Sequence, residues 1–126
     1  MKMLSGLGVV CWLALFVSSC GDSGTEADRR GVGAQCTKVE DCASGQQCLA
    51  FKGGYCGLQG CAANRDCPVG SACVHHDDGM NYCFRICVDK VECNRNRLLE
   101  NEANCSASIT FIETTNSKAC VPPSGS

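Results

Sequence analysis

Cysteine dominates the chemistry available to this chain, since 14 of its 126 residues are cysteines. Thiols at this density cross-link a small fold, bind metal or exchange electrons. Zinc ribbons and thioredoxin-like redox sites use a C-x-x-C spacing, and metal–thiolate clusters use C-x-C. The sequence contains neither spacing. We therefore predict a disulfide scaffold with no cofactor and no bound metal.

Twelve of the cysteines fall into three blocks that repeat along the chain. They are Cys36, Cys42, Cys48 and Cys56, then Cys61, Cys67, Cys73 and Cys83, then Cys87, Cys93, Cys105 and Cys120. The first two blocks share the same spacings between their first three cysteines, and the third block lengthens after its second cysteine. Closed disulfide frameworks need an even number of cysteines, and four cysteines within a block allow three pairings.

Other residues repeat with the cysteines. An acidic residue precedes the second cysteine of every block: Asp41, Asp66 and Glu92. In the first two blocks a glycine follows that cysteine, at Gly45 and Gly70. In the same two blocks a tyrosine precedes the fourth cysteine, at Tyr55 and Tyr82. Acidic residues at equivalent positions favour a structural role, such as accepting hydrogen bonds from loop amides, over catalysis.

Few other residues indicate chemistry. The segment His75-His76-Asp77-Asp78 is the one cluster that resembles a metal site, but adjacent strand residues point to opposite faces. A solvated hairpin tip rich in polar residues explains the segment without a metal, and this is the interpretation we favour. G-x-S-x-G and H-E-x-x-H are absent, which favours a non-enzymatic protein. A net charge of −2 argues against nucleic acid as a partner.

The predicted elements are short hairpins that carry the cysteines. Gly53-Gly54 indicates a tight turn in the first block, and Asp78-Gly79 indicates a type I′ turn in the second. In the third block we expect a strand over Ser108–Thr115 that turns back into residues 118–120, and one or two helical turns within residues 94–104. The fold class is small and disulfide-rich, with three short repeats of loops and β-hairpins.

The N-terminus has the pattern of a secretory signal: a basic start, an apolar run over residues 4–17 and small residues after it. Val17-Ser18-Ser19-Cys20 resembles the bacterial lipobox. This resemblance implies cleavage of residues 1–19 and acylation of Cys20, with attachment to the bilayer through acyl chains. It also implies export to the bacterial cell envelope, where we favour the outer membrane.

Residues 21–35 are polar, rich in glycine and devoid of large apolar side chains. Such a composition predicts a flexible tether with a span of roughly 20 Å and a limit of about 50 Å. Three repeats follow, at residues 36–56, 61–83 and 87–120, and residues 121–126 form a C-terminal tail. A tether of this length would lift the repeats clear of the lipid head groups.

The four-cysteine pattern in Cys36–Cys56 and Cys61–Cys83 resembles the Dickkopf N-terminal cysteine-rich region and the related EB-type extracellular modules. The resemblance implies that the first cysteine of each repeat pairs with the third and the second with the fourth. It implies no partner, because the Dickkopf pattern continues with a C-x-x-C that this chain lacks.

Two functional hypotheses remain. The first is an anchored interaction module that contacts an envelope or extracellular protein or glycan through rigid loops. The second is a small inhibitor of a protease or toxin, which presents a loop held by disulfides. Neither hypothesis requires a catalytic residue.

Overall fold

Short antiparallel strands form most of the regular structure in residues 24–123, the part of the chain that this computed structural model describes. The strands are β1 (Gln47–Leu49), β2 (Tyr55–Gln59), β3 (Ser71–His75), β4 (Asn81–Cys87), β5 (Asn104–Ser106), β6 (Thr110–Phe111) and β7 (Lys118–Val121). Two helices, α1 (Glu26–Arg30) and α2 (Lys90–Cys93), and 3-10 turns at Val39–Asp41, Asn64–Asp66 and Leu99–Asn101 join them. The predicted disulfide-rich fold class is confirmed.

Each repeat is built around one hairpin in the same register. The third and fourth cysteines lie directly opposite each other on paired strands: Cys48 and Cys56, Cys73 and Cys83, Cys105 and Cys120. Six disulfides tie these hairpins to the preceding loops: Cys36–Cys48, Cys42–Cys56, Cys61–Cys73, Cys67–Cys83, Cys87–Cys105 and Cys93–Cys120. The bridges follow the first-to-third and second-to-fourth pairing in all three repeats.

The hairpins join into one sheet that contributes residues to a small aromatic core. Its strands are ordered β1-β2-β4-β3-β6, and β7 pairs with both β4 and β5. Tyr55, Val74 and Phe84 are fully buried, and Phe51 packs against them from the β1–β2 loop. β4 is the longest strand and contacts β2, β3 and β7, so it connects all three repeats.

The hairpin turns follow the sequence prediction in the first repeat and differ in the second. Gly53 and Gly54 both have positive φ, and a Cβ at Gly54 would lie 2.0 Å from the Cys36 carbonyl oxygen. The predicted type I′ turn at Asp78-Gly79 is wrong. Such a turn needs positive φ at both residues, and only Gly79 has it. The Gly79 N–H instead donates to the His76 carbonyl, as in a type I turn that ends on a left-handed glycine.

The third repeat differs more. Residues 108–115 do not pair with 118–120: β7 pairs with β5, and the two residues of β6 pair with β3 of the second repeat. The helical insertion is also displaced. Its α-helical turn lies at Lys90–Cys93, where Asp89 caps it, and residues 94–104 hold only the 3-10 turn at Leu99–Asn101. Tertiary pairing here outweighs the β-branched composition that suggested a single long strand.

The predicted flexible tether is wrong for residues 24–35. Helix α1 begins with a capping box between Thr25 and Asp28 and ends at Gly31, which has φ 71°. Ala27 and Val32 are buried in the main core. Small apolar side chains and a capped turn thus hold this segment on the repeats, although it contains no large apolar side chain. At the other end, Val121 belongs to β7 and not to the tail.

Candidate functional site

Helix α1 contacts the first two repeats directly and is linked to the third through Arg85. Its Ala27 N–H donates to the carbonyl of Val69 in the second repeat (2.7 Å), and the Gln46 side chain of the first repeat donates to the Arg30 carbonyl (3.1 Å). Asp28 accepts from the guanidinium of Arg85, which also donates to the carbonyl of Glu92 in the third repeat. The helix therefore joins all three disulfide units, in addition to the strand pairing through β4.

Glycines in the two regular repeats make room for this helix. A Cβ at Gly70 would lie 2.2 Å from Thr25 Oγ1 and 3.2 Å from the Ala27 Cβ. A Cβ at Gly45 would lie 3.2 Å from the Arg30 guanidinium. Both glycines also have positive φ. The repeated glycine noted in the sequence is thus the place where α1 approaches each repeat.

The repeated acidic residues accept hydrogen bonds from loop amides, as predicted. Asp41 accepts from the Thr37 N–H (2.9 Å), Asp66 from the Ala62 N–H (2.9 Å) and Glu92 from the Asp89 N–H (3.0 Å). Backbone hydrogen bonds, from Thr37, Ala62 and Val88 respectively, are the main cause that lowers the pKa of each carboxyl group. These carboxylates are structural, one in each repeat.

A groove lies where the first repeat meets the hairpin tip of the second. Its volume is about 530 Å³, within the range of small-ligand sites. Its apolar lining comes from the exposed Val39 and Ala50, the half-buried Phe51, and the buried Leu49 and Tyr82. The polar lining residues are Thr37, Lys38, Gln47, Gln59 and Asp78, all of them exposed. We call this feature the tip groove.

Two contacts fix the polar side of the tip groove. The Tyr82 hydroxyl donates to Asp78 Oδ2 (2.7 Å), and the Met80 N–H donates to Asp78 Oδ1 (2.9 Å). Burial and the adjacent carboxylate raise the pKa of Tyr82 to about 12. Burial alone would raise the pKa of Asp78, but hydrogen bonds, chiefly those from Tyr82 and Met80, contribute to a net lowering of that pKa. The carboxylate is thus ionised and held in place at neutral pH.

The two histidines do not form a site together. His75 bonds to Asn81 through Nδ1 (2.8 Å), whereas the His76 ring packs edge-on against Phe51 and Phe84. In residues 24–123, the only groups of three potential ligand atoms that converge are cysteine sulfurs, and all of these are in disulfides. A crevice beside Asp28 and Arg85 has a volume of only about 60 Å³.

Two buried arginines that the sequence analysis did not identify connect the repeats. Arg97 donates to the carbonyls of Gly33, Lys52, Gly54 and Asn101. Burial lowers the pKa of Arg97. Arg85 has the equivalent role beside α1. Neither has a distinctive sequence pattern, because their carbonyl partners come from segments far apart in the chain.

The predicted lipidation site Cys20, the signal peptide and the last three residues lie outside the described residues. Within residues 24–123 no helix has the length and apolar character needed to cross a membrane. No family model, no curated protein and no solved structure matches this chain.

Proposed function

We propose that this protein is a non-enzymatic lipoprotein of the bacterial cell envelope, anchored through Cys20, that binds a glycan in the tip groove. The outer membrane is the favoured location. The lipobox-like sequence supports the anchor, and the observation that carries the binding role is the composition of the groove. A sugar ring needs an apolar surface beside hydrogen-bond donors and acceptors, and Phe51 lies among Gln47, Gln59 and Asp78.

The lining of the groove supports binding over catalysis. It contains a single carboxylate, Asp78, which is already bonded to Tyr82 and Met80. Hydrolysis of a glycosidic bond ordinarily uses two carboxylates that face each other across the bond. The groove also has no histidine or free thiol that would act as a base or nucleophile.

Rigidity supports the same role. The Cys36–Cys48 bridge fixes one wall of the groove, because Cys48 lines it and Cys36 lies immediately before the lining residue Thr37. The Cys42–Cys56 bridge ties the loop after Val39 to β2, the strand that pairs with β1. A binding surface that is ordered before the ligand arrives loses less entropy on association.

The test is a binding titration of the acylated protein in detergent with polysaccharides purified from the envelope. We expect saturable binding that the double variant Gln47→Ala/Gln59→Ala abolishes. Asn116→Ala, which removes an exposed amide outside the groove, is the matched control and should bind normally. Binding that the double variant leaves intact would contradict the assignment of the groove.

The inhibitor hypothesis predicts a different result. Stoichiometric slowing of a protease by the intact protein, with no binding to any polysaccharide, would replace the glycan proposal. A rate assay on purified proteases, run beside the titration, distinguishes the two hypotheses directly.

A further inference from the structure

An exposed apolar patch lies beside the first turn of α1. It consists of Val69, Val88 and Val91, whose exposed fractions are 71%, 75% and 72%. Exposed apolar residues on neighbouring segments, unlike isolated ones, are typical of interaction or membrane-contact sites. We call these three residues the valine patch.

Hydrogen bonds place these segments side by side. The Val69 N–H donates to Glu26 Oε1 (2.9 Å), so the loop that carries Val69 lies against the start of α1. The Ile86 N–H donates to the Gly70 carbonyl (2.8 Å), which continues the β3–β4 pairing and brings residue 88 alongside residues 68–70. Val91 lies in α2, which Arg85 links to Asp28 of α1.

The folded N-terminal segment leaves a short connection to the proposed anchor. Only residues 21–23 separate Cys20 from Gly24, where the described chain begins. Four Cα–Cα steps reach at most about 14 Å. Gly24 must therefore lie within about 14 Å of the acylated cysteine. Val69, whose N–H donates to Glu26 just after Gly24, is the patch residue that the contacts place closest to the start of α1.

The charges around the patch are mixed. Glu26 accepts from the Val69 N–H, Asp89 and Lys90 lie between Val88 and Val91 in the chain, and Lys90 is paired with Glu102. Such a surface has no strong attraction to anionic head groups. Its contact with a bilayer would depend on the apolar side chains, and salt should have little effect on it.

We propose that the valine patch rests on the lipid bilayer that holds Cys20, an inference that depends on the proposed anchor. The strand β4 then points away from the membrane, with Val88 just beyond its near end and Met80 just before its far end. Val88 and Met80 are eight positions apart, and eight residues of extended chain span about 26 Å. The tip groove, which contains Asp78 and Tyr82, is at the far end and faces away from the lipid.

The chain offers a clean optical test. Its single tryptophan is Trp12, in the segment that the lipobox resemblance removes, so Val88→Trp gives a processed protein with one tryptophan. Met80→Trp is the matched control, because Met80 is also an exposed apolar residue but lies at the opposite end of β4. Val69→Trp is a second reporter within the patch.

Each protein is purified with its acyl groups, verified by intact mass, and reconstituted in phosphatidylcholine vesicles with or without brominated acyl chains. We expect blue-shifted emission and several-fold stronger quenching for Val88→Trp and Val69→Trp than for Met80→Trp, at low and high salt alike. Equal, weak quenching at all three positions in acylated protein would overturn the docking inference and leave the anchor intact. A mass without acyl groups would instead overturn the anchor, and this inference with it.

Discussion

Arg85 holds the N-terminal helix on the body of the protein through Asp28. The Arg85 side chain is almost fully buried, its Nε donates to Asp28 Oδ1 at 2.7 Å, and Nη2 donates to the same oxygen. The same guanidinium donates to the Glu92 carbonyl. Arg85, which lies just after the second repeat, thus joins helix α1 to the start of the third repeat.

Neutralising this pair should weaken the attachment of α1. Burial raises the pKa of Asp28, but hydrogen bonds from Thr25 and Arg85 outweigh that effect, and the net shift is downward. We expect Asp28→Asn to lower the free energy of unfolding by about 1–2 kcal/mol, as for a partly buried charged hydrogen bond. Guanidinium denaturation measures this change.

The matched control for that experiment is Glu102→Gln. Glu102 pairs with Lys90 at 2.7 Å, but both side chains are solvent-exposed. Exposed ion pairs contribute about 0–1 kcal/mol, so this variant should be nearly as stable as the wild type. Equal losses for the two variants would contradict a specific role for the Arg85–Asp28 contact.

Gly70 should tolerate substitution much less well than Gly60. Their φ angles are similar, 97° and 91°, but a Cβ at Gly70 meets Thr25 and Ala27, whereas a Cβ at Gly60 meets nothing within 4 Å. Both alanine variants carry the backbone strain of about 1 kcal/mol, and Gly70→Ala adds an overpacking cost of about 1–3 kcal/mol. The difference between the two unfolding free energies isolates the packing of α1, and a difference near zero would contradict this packing.

Two tyrosines at equivalent repeat positions should respond differently to loss of the hydroxyl. Tyr55 is fully buried, and its hydroxyl donates to the Cys120 carbonyl (2.8 Å) and accepts from the Arg85 N–H (3.1 Å). Tyr55→Phe leaves both backbone groups buried and unpaired, at a cost of about 2–4 kcal/mol.

Tyr82→Phe is the control, because the Tyr82 hydroxyl bonds only to Asp78 in an exposed turn. We expect a smaller loss of about 1 kcal/mol for this variant, because water can solvate the exposed Asp78 carboxylate once the hydroxyl is removed. Urea denaturation of both variants, with the disulfides intact, tests the contrast. A larger loss for Tyr82→Phe would contradict the central position of Tyr55.

Stability should fall in acid. The pKa values of Asp41, Asp66 and Glu92 are lowered in the folded state, chiefly by backbone hydrogen bonds. A lowered folded-state pKa stabilises the protein at pH values above the unfolded pKa, and this contribution disappears as the pH falls through the folded value. We therefore expect the free energy of unfolding to be steady above about pH 5 and to decrease below about pH 4.

Guanidinium titrations across this pH range, with Asp66→Asn as a comparison, measure the effect. The variant retains a side-chain oxygen that accepts the amide bonds but has no charge to titrate, so its acid dependence should be shallower. Stability that increases on acidification from pH 5 would show that these carboxyl groups are not stabilised in their ionised form.

Features encoded by local repetition could be predicted from the sequence. The hairpin at Gly53-Gly54 and the amide-capping role of the acidic residues each depend on spacing within one repeat. The disulfide pairing came from resemblance, since spacing alone left three alternatives open in every repeat.

Features created by contacts between repeats could not be predicted. The pairing of β6 with β3 joins residues that are more than 30 positions apart, and nothing near Thr110 indicates it. Residues 24–35 resembled a linker because their buried side chains, Ala27 and Val32, are small. The tip groove combines Gln47 and Asp78 from different repeats, so neither repeat contains its pattern.

The most direct test of the proposed function is the intact mass of the protein extracted from native membranes and alkylated without reduction. The proposal predicts a chain that begins at Cys20, carries acyl groups and has no alkylated thiol, since the other twelve cysteines of the processed chain form six bridges. A soluble product without acyl groups would contradict the anchor. Alkylated thiols would contradict the disulfide scaffold on which the groove depends.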